Sequence, residues 1–184
     1  VKEIKGPNWG QVIGGKIGGS KHKSITKIKI SYPEVSEDLG EFIGIVLGDG
    51  SIDYKNYTVQ ICLHREFDSE YVKYVTNLVR SLFNVEAKVY NNSKQNMTRI
   101  RINSKLLIKY LENFKLKKKQ IPKVFIENKR FLSGVLRGLF DTDGSIHMSS
   151  RWCVLDFTSN SRLLKDFKNH MEKFGIPCFV TSNH

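Results

Sequence analysis

The sequence predicts an α/β (α+β) fold made of pseudo-symmetric tandem αββαββα repeats, with antiparallel sheets joined through a pair of equivalent helices. Three observations lead to it. Gly40-Glu41-Phe42-Ile43-Gly44-Ile45-Val46-Leu47-Gly48-Asp49-Gly50-Ser51-Ile52 superposes on Gly134-Val135-Leu136-Arg137-Gly138-Leu139-Phe140-Asp141-Thr142-Asp143-Gly144-Ser145-Ile146 at an offset of 143 − 49 = 94, with six of thirteen positions identical. The match resumes downstream, where Ser81-Leu82-Phe83-Asn84-Val85 answers Glu172-Lys173-Phe174-Gly175-Ile176 and Val89 answers Val180, now at 180 − 89 = 91. Around these segments the apolar spacing alternates between the helical and the strand period.

Residues 1–36 form a basic, Gly-rich arm. It holds six of the fourteen glycines (Gly6, Gly10, Gly14, Gly15, Gly18 and Gly19), and each would cost a helix ~1 kcal/mol. Ile25, Ile28 and Ile30 alternate with lysines, so a short extended stretch is expected over 26–32. The arm reads either as a solvated tail or as a segment that follows DNA phosphates.

The first half is expected over 37–114. Ser36-Glu37-Asp38 is an acidic helix start, and Leu39, Phe42, Ile43, Val46 and Leu47 follow at helical spacing up to Gly50. Strands are expected over 51–54 and 57–63, turned by Lys55-Asn56, then a helix over 69–83. Two more strands, 85–90 and 97–102, flank the polar 91–96 turn, and a helix covers 104–114. A basic linker spans 115–128, with Lys117, Lys118 and Lys119 ahead of Ile121-Pro122. The second half runs over 129–184. It continues for only 184 − 180 = 4 residues beyond Val180, against 114 − 89 = 25 beyond Val89 in the first, so it is expected to be C-terminally incomplete.

The chain has 30 Lys+Arg against 18 Asp+Glu, a net charge of +12, which favours a polyanionic partner. With 40% hydrophobic residues it can bury a core, and its 184 residues lead one to expect one ordinary domain or two small similar units packed as one, not a multi-domain machine. Cys62, Cys153 and Cys178 are odd in number and scattered, unlike a disulfide framework or a structural zinc site. No apolar run reaches membrane-span length. The expectation is an intracellular, soluble monomer in the cytoplasm, nucleoid or an organelle.

Gly40, Gly44 and Gly48 fall at i, i+4 and i+8, and Gly134, Gly138 and Thr142 repeat the stripe. Small residues at this spacing let two helix backbones approach closely, so the repeated helices are expected to be each other's partners. Each then delivers an aspartate, Asp49 or Asp143, to its C-terminal end. There the helix dipole and the other carboxylate both disfavour charge, and a divalent cation resolves the conflict. Asp141, two residues from Asp143, reads as structural.

The segments Phe42–Gly50 and Leu136–Gly144 resemble the two motifs of the monomeric LAGLIDADG homing endonucleases, and the resemblance extends over roughly 34–184. It implies motif helices at a pseudo-symmetric interface, sheets that saddle the major groove of a double-stranded DNA target, and double-strand cleavage. Asp49 and Asp143 would be catalytic, holding Mg2+ or Mn2+ together with Gly48 and Thr142. Such enzymes serve intron or intein homing.

Strand alternation supports a DNA-facing surface. Val59, Ile61 and Leu63 oppose Thr58, Gln60 and Cys62, and Ile100 and Ile102 oppose Arg99 and Arg101. Expected DNA contacts are Tyr54, Lys55, Asn56, Gln60, Lys88, Tyr90, Asn92, Lys94, Gln95, Arg99 and Arg101 in the first half, and Ser149, Arg151 and Trp152 in the second. The resemblance also leads one to expect a Lys or Gln at the end of each second strand. The sequence has Leu63-His64-Arg65 and Thr158-Ser159 instead, so His64 and Arg65 are candidate accessory groups in the first half and the second has none. The alternative function is a non-catalytic DNA-binding regulator or an intron-RNA maturase on the same fold.

Overall fold

A computed structural model describes residues 30–116, 119–149 and 151–181. Residues 1–29 of the expected 1–36 arm, Lys117 and Lys118 of the linker, Ser150 and 182–184 lie outside the described residues.

Helix α1 (Glu37–Leu47) starts where the Ser36 hydroxyl accepts the Leu39 N–H at 3.2 Å, with Glu37 and Asp38 in the first turn, where the dipole favours anions. Strands β1 (Gly50–Asp53) and β2 (Thr58–His64) pair through a turn that Asp53 holds, its carboxylate accepting the Lys55 and Asn56 main-chain N–H groups at 3.0 and 2.9 Å. Helix α2 (Ser69–Phe83) ends at Asn84 in the left-handed conformation. Strand β3 (Lys88–Asn92), a 3-10 turn (Ser93–Gln95), strand β4 (Met97–Asn103) and helix α3 (Lys105–Glu112) complete the half. The sheet is antiparallel in the order β1-β2-β4-β3.

The second half contains helix α4 (Lys129–Asp143), strands β5 (Gly144–Ser149) and β6 (Trp152–Phe157), and helix α5 (Ser161–Lys173). Its hairpin is longer than the first: Gly50 pairs with Ile61 but Gly144 pairs with Phe157, so the partners are 157 − 61 = 96 apart rather than 94. The αββαββα order is complete in the first half, whereas the described residues of the second show αββα. Val180, matched in sequence to the β3 residue Val89, is not in a strand. Val89 has β4 beside it, paired through Ile100, and among the described residues no strand equivalent to β4 lies next to 176–181. An extended segment without a ladder partner forms no sheet.

The core runs from under the first sheet through the α1–α4 contact. Val59, Ile61, Ile100 and Ile102 are fully buried and meet the apolar sides of α1, α2 and α3. Phe42 packs edge-on to Phe83 at 5.0 Å, and Phe131 of α4 stacks on Phe114 at 6.2 Å, so aromatic rings tie α4 to the first half.

Helices α1 and α4 run in the same direction, in backbone contact. A Cβ on Gly40 would stand 2.0 Å from Phe131 O and one on Gly134 2.0 Å from Glu37 O; the next turn repeats this with Gly44 at 2.3 Å from Val135 O and Gly138 at 2.2 Å from Glu41 O. Each pair is reciprocal at the motif offset, since 131 − 37 = 94 and 135 − 41 = 94. The glycine stripe is therefore the contact between the halves, and it compensates the helix propensity it costs.

Across this contact lies an asymmetric polar cluster that repeat matching does not find. Glu41 is 1% exposed, accepts a hydrogen bond from the Tyr74 hydroxyl at 2.8 Å and is ion-paired to Arg137, which also binds Glu37 at 2.6 Å. The repeat places Val135 opposite Glu41 and Ile43 opposite Arg137, so no symmetry requires the pair. Removing one partner of a buried pair leaves an uncompensated charge. Arg137→Met is expected to lower stability by about 3 kcal/mol, and adding Glu41→Leu should recover most of that. Urea denaturation of the single and double variants checks it; equal losses in both would contradict the pairing.

Candidate active site and nucleic-acid face

Because α1 and α4 are parallel, both motif aspartates emerge at the same end of the helix pair. Gly48 and Thr142 form the last contact: a Cβ on Gly48 would lie 2.0 Å from Thr142 Oγ1 and 3.3 Å from Asp143 Oδ1. Each aspartate is tied into its own sheet by its main chain, Asp49 O accepting the Cys62 N–H and Asp143 O the Thr158 N–H, both at 3.2 Å. With the longer second hairpin allowed for, these bonds are equivalent.

The electrostatics around Asp49 are strained. Burial chiefly, then the Asp143 and Asp68 carboxylates, push the Asp49 carboxyl up to about 6 from 3.8, with Lys119 acting in the opposite sense. Asp68 carries no motif signal; its carboxylate accepts the His64 main-chain N–H at 2.7 Å, which places it beside the β2 end. Asp141 lies in a different environment: burial, then Glu41, raise its carboxyl, and Arg137 opposes them. The neighbouring Tyr71 hydroxyl is buried without a hydrogen-bond partner among the described residues, and burial, then Asp141, hold it well above the usual phenol range.

The donor set fits a divalent cation of the Mg2+ kind. Two converging carboxylates, one of them pushed up chiefly by burial and then by the other, make a site that a dication would relieve. Among the described residues no group of three or more His, Cys, Asp or Glu is placed to hold a metal, so water and phosphate oxygens would fill the remaining positions. The flanking residues named beside the metal are otherwise engaged. The Thr142 hydroxyl donates back to Gly138 O and Leu139 O, both at 3.0 Å, and Gly48 O accepts from Lys119 at 3.2 Å.

His64 is committed to local structure. Its Nδ1 accepts the Glu66 and Phe67 N–H groups at 3.3 and 3.2 Å, its Nε2 lies 3.1 Å from the Asn96 amide, and its ring stacks on Phe67. Arg65 is exposed in the turn that follows. On the second side Thr158 and Ser159 precede Asn160, which caps α5.

The strand register builds an open polar face on the first sheet. Ser51, Gln60, Arg101 and Lys88 form one row across the strands, and Cys62, Arg99 and Tyr90 form the next. Arg99 donates to Gln95 at 3.3 Å and Arg101 to Asn103 at 3.2 Å, while the Arg99 Nε is buried without a partner among the described residues. Asn92, Lys94 and Gln95 stand at the end of this face, Asn92 capping the 3-10 turn. Lys55 and Asn56 lie at the β1–β2 turn, whereas Tyr54 packs partly against the core. In the second half the row Ser145–Asp156 is followed by His147–Val154, Ser149 pairs with Trp152, and Arg151 is in the turn. Trp152 is 75% exposed.

Residues 130–180 match the family model of the LAGLIDADG-like domain. The chain is 34% identical over 168 residues to the RNA polymerase subunit Rpo1C of Methanocaldococcus jannaschii, covering 86% of this chain and 17% of that protein. It is 30% identical over 148 residues to a probable translation initiation factor IF-2 of Thermococcus kodakarensis, covering 78% and 12%. A replication factor C small subunit of M. jannaschii matches at 26% over 163 residues, covering 86% and 8%. The chain thus spans about a sixth or less of the curated relatives it matches. Among solved structures, I-DmoI in complex with DNA and Mn superposes with a TM-score of 0.57 at 19% identity, over 82% of this chain and 85% of that one. The N-terminal LAGLIDADG domain of WhiA superposes with a TM-score of 0.57 at 15% identity, over 85% and 76%. No helix among the described residues is long and apolar enough to cross a membrane. With the repeated motif and the glycine-to-carbonyl helix contact, these matches give the chain the LAGLIDADG fold, with a LAGLIDADG-like domain over residues 130–180.

Proposed function

We propose that this protein is a site-specific, divalent-metal-dependent DNA endonuclease of the homing type, with Asp49 and Asp143 as its two catalytic acids. The observation that carries the reading is their delivery to one end of the parallel helix pair, where the Asp49 carboxyl is pushed up by burial and by Asp143. A bound Mg2+ or Mn2+ supplies Lewis-acid stabilisation of the phosphodiester charge and a more acidic attacking water. The chain's own residues do the rest. Asp49 and Asp143 orient the centre, and the parallel helices fix their spacing. The rows Gln60–Arg101–Lys88 and Arg99–Tyr90, with Trp152 and Arg151 on the other side, hold duplex DNA across the groove. The homing component is supported by the relatives: one segment recurs as a small part of an RNA polymerase subunit, an initiation factor and a replication factor, as an inserted element would.

A non-catalytic DNA binder is the second reading, favoured by the engaged ring of His64 and by Thr158-Ser159 standing where a lysine or glutamine is expected. Exposure of a library of long duplexes to the protein with Mg2+ separates the two. Double-strand cuts at one site support the endonuclease; tight, salt-sensitive binding with no cut supports the binder. In either case Arg101→Ala should weaken specific binding by about 1–3 kcal/mol and reduce the salt slope by about 1, read by fluorescence anisotropy at several salt concentrations. An unchanged slope would take Arg101 off the DNA face.

A further inference from the structure

Phe67 is 85% exposed, yet every main-chain N–H of the turn that carries it has a partner. His64 donates to the Asp68 carboxylate at 2.7 Å, Arg65 to Asn96 O at 3.0 Å, Glu66 and Phe67 to His64 Nδ1 at 3.3 and 3.2 Å, and Asp68 to His64 O at 3.2 Å. The Phe67 ring is stacked on the His64 ring, with centroids 4.5 Å apart and planes inclined by 26°. One face of the phenyl is taken and the other is open. A turn this constrained presents an apolar ring to solvent with little ordering left to lose on binding.

The place of the ring in the fold points to its occupant. Gln60, Cys62 and His64 alternate onto the open face of the first sheet, whose rows hold Arg101 and Lys88, then Arg99 and Tyr90. The row His64–Met97–Asn92 comes next, and the His64–Phe67 stack ends the face there. This is also the aspartate end of the sheet. Asp49 O accepts the Cys62 N–H, two residues before His64, and after burial and Asp143 the Asp68 carboxylate, next in the chain to Phe67, also raises the Asp49 carboxyl. A duplex lying along the arginine rows would meet Phe67 as it passes the aspartates.

A phenyl ring has no group with which to read a base edge. It can continue the stack from His64 through Phe67 to a base whose own step has opened, as apolar side chains do when they wedge into a duplex. Opening costs least at pyrimidine–purine steps. We propose that Phe67 is a specificity-determining wedge that enters the base stack of duplex DNA beside the aspartate pair and selects a deformable step there. The wedge rests on the DNA-binding part of the proposed function and applies equally to an endonuclease and to a non-catalytic binder.

The test uses the full chain as wild type, Phe67→Ala and Phe67→Tyr. The probes are duplexes that the wild type recovers from a randomised library in Ca2+, remade with 2-aminopurine at one position at a time. In the wild-type complex the 2-aminopurine fluorescence should rise at least about twofold at one step, and that step should be pyrimidine–purine in the recovered sequences. Phe67→Ala is expected to abolish the rise, to weaken binding by about fivefold or more and to leave the salt slope unchanged, since no charge is removed. Phe67→Tyr keeps a ring on His64 and should restore most of both. A rise that survives in Phe67→Ala overturns the wedge, and so does a loss in Phe67→Ala that Phe67→Tyr fails to repair. Tight wild-type binding that brightens no step overturns the wedge alone and leaves DNA binding standing. If the wild type recovers no duplex from the library, the DNA-binding reading fails and the wedge fails with it.

Discussion

Replacing Asp49 and Asp143 together by asparagine is expected to abolish Mg2+-dependent DNA cleavage, a loss of at least about a thousandfold, or ~4 kcal/mol of transition-state stabilisation. Binding to the same duplex in Ca2+ should change by no more than a few fold, because the contacts on the sheet face do not involve these residues. The variants also carry a stability signature of opposite sign. The folded-state carboxyl of Asp49, at about 6, lies above its unfolded value of 3.8, so the ionised form is disfavoured in the fold. Above pH 6 this opposes folding; the penalty fades as pH falls through 6 and is gone below 3.8, where both states are protonated. In metal-free buffer Asp49→Asn should therefore raise the unfolding free energy at pH 7.5, by on the order of 1 kcal/mol after solvent screening at this half-buried site, and leave it unchanged at pH 3.5. Thermal denaturation at the two pH values reads this directly. Full cleavage by the double variant would remove Asp49 and Asp143 from the chemistry.

Gly44→Ala, at the middle of the helix contact, is expected to be strongly damaging, as is a methyl at any of the other glycines packed on main-chain carbonyls. The added carbon would lie 2.3 Å from Val135 O, 2.8 Å from Leu139 N and 3.0 Å from Gly138 Cα, all main-chain atoms that no side-chain rotation can move away. The helices must separate, losing contacts along their length, and the cost should reach about 3 kcal/mol or more. The same separation would move Asp49 relative to Asp143, so cleavage should fall even at temperatures where the variant remains folded. Chemical denaturation with parallel nicking assays checks both effects. A variant as stable as the wild type would mean that the helices are not in backbone contact at Gly44.

Much of this architecture is legible along the chain because the repeat is a linear pattern. The offset of 94 identified the equivalent helices, and the i, i+4, i+8 glycines pointed to close packing between them. Helix α2 occupies the residues its periodicity predicts, and the open rows of the first sheet follow from strand alternation through Gln60, Arg99 and Arg101. The second half is less legible. A match between Val89 and Val180 records ancestry, but a strand exists only where a neighbour supplies its hydrogen bonds.

The sequence by itself determined the duplication, the helix pair and the two aspartates that converge, because periodicity and identity at a fixed spacing survive in one dimension. Only the tertiary structure decided that Glu41 is buried and ion-paired to Arg137, that His64 is occupied by its own turn, and that Lys119 reaches back to the carbonyls around Asp49. Each depends on groups distant along the chain brought within hydrogen-bond reach. Charge pairing and carbonyl capping act through space, with no fixed sequence interval for a pattern to detect.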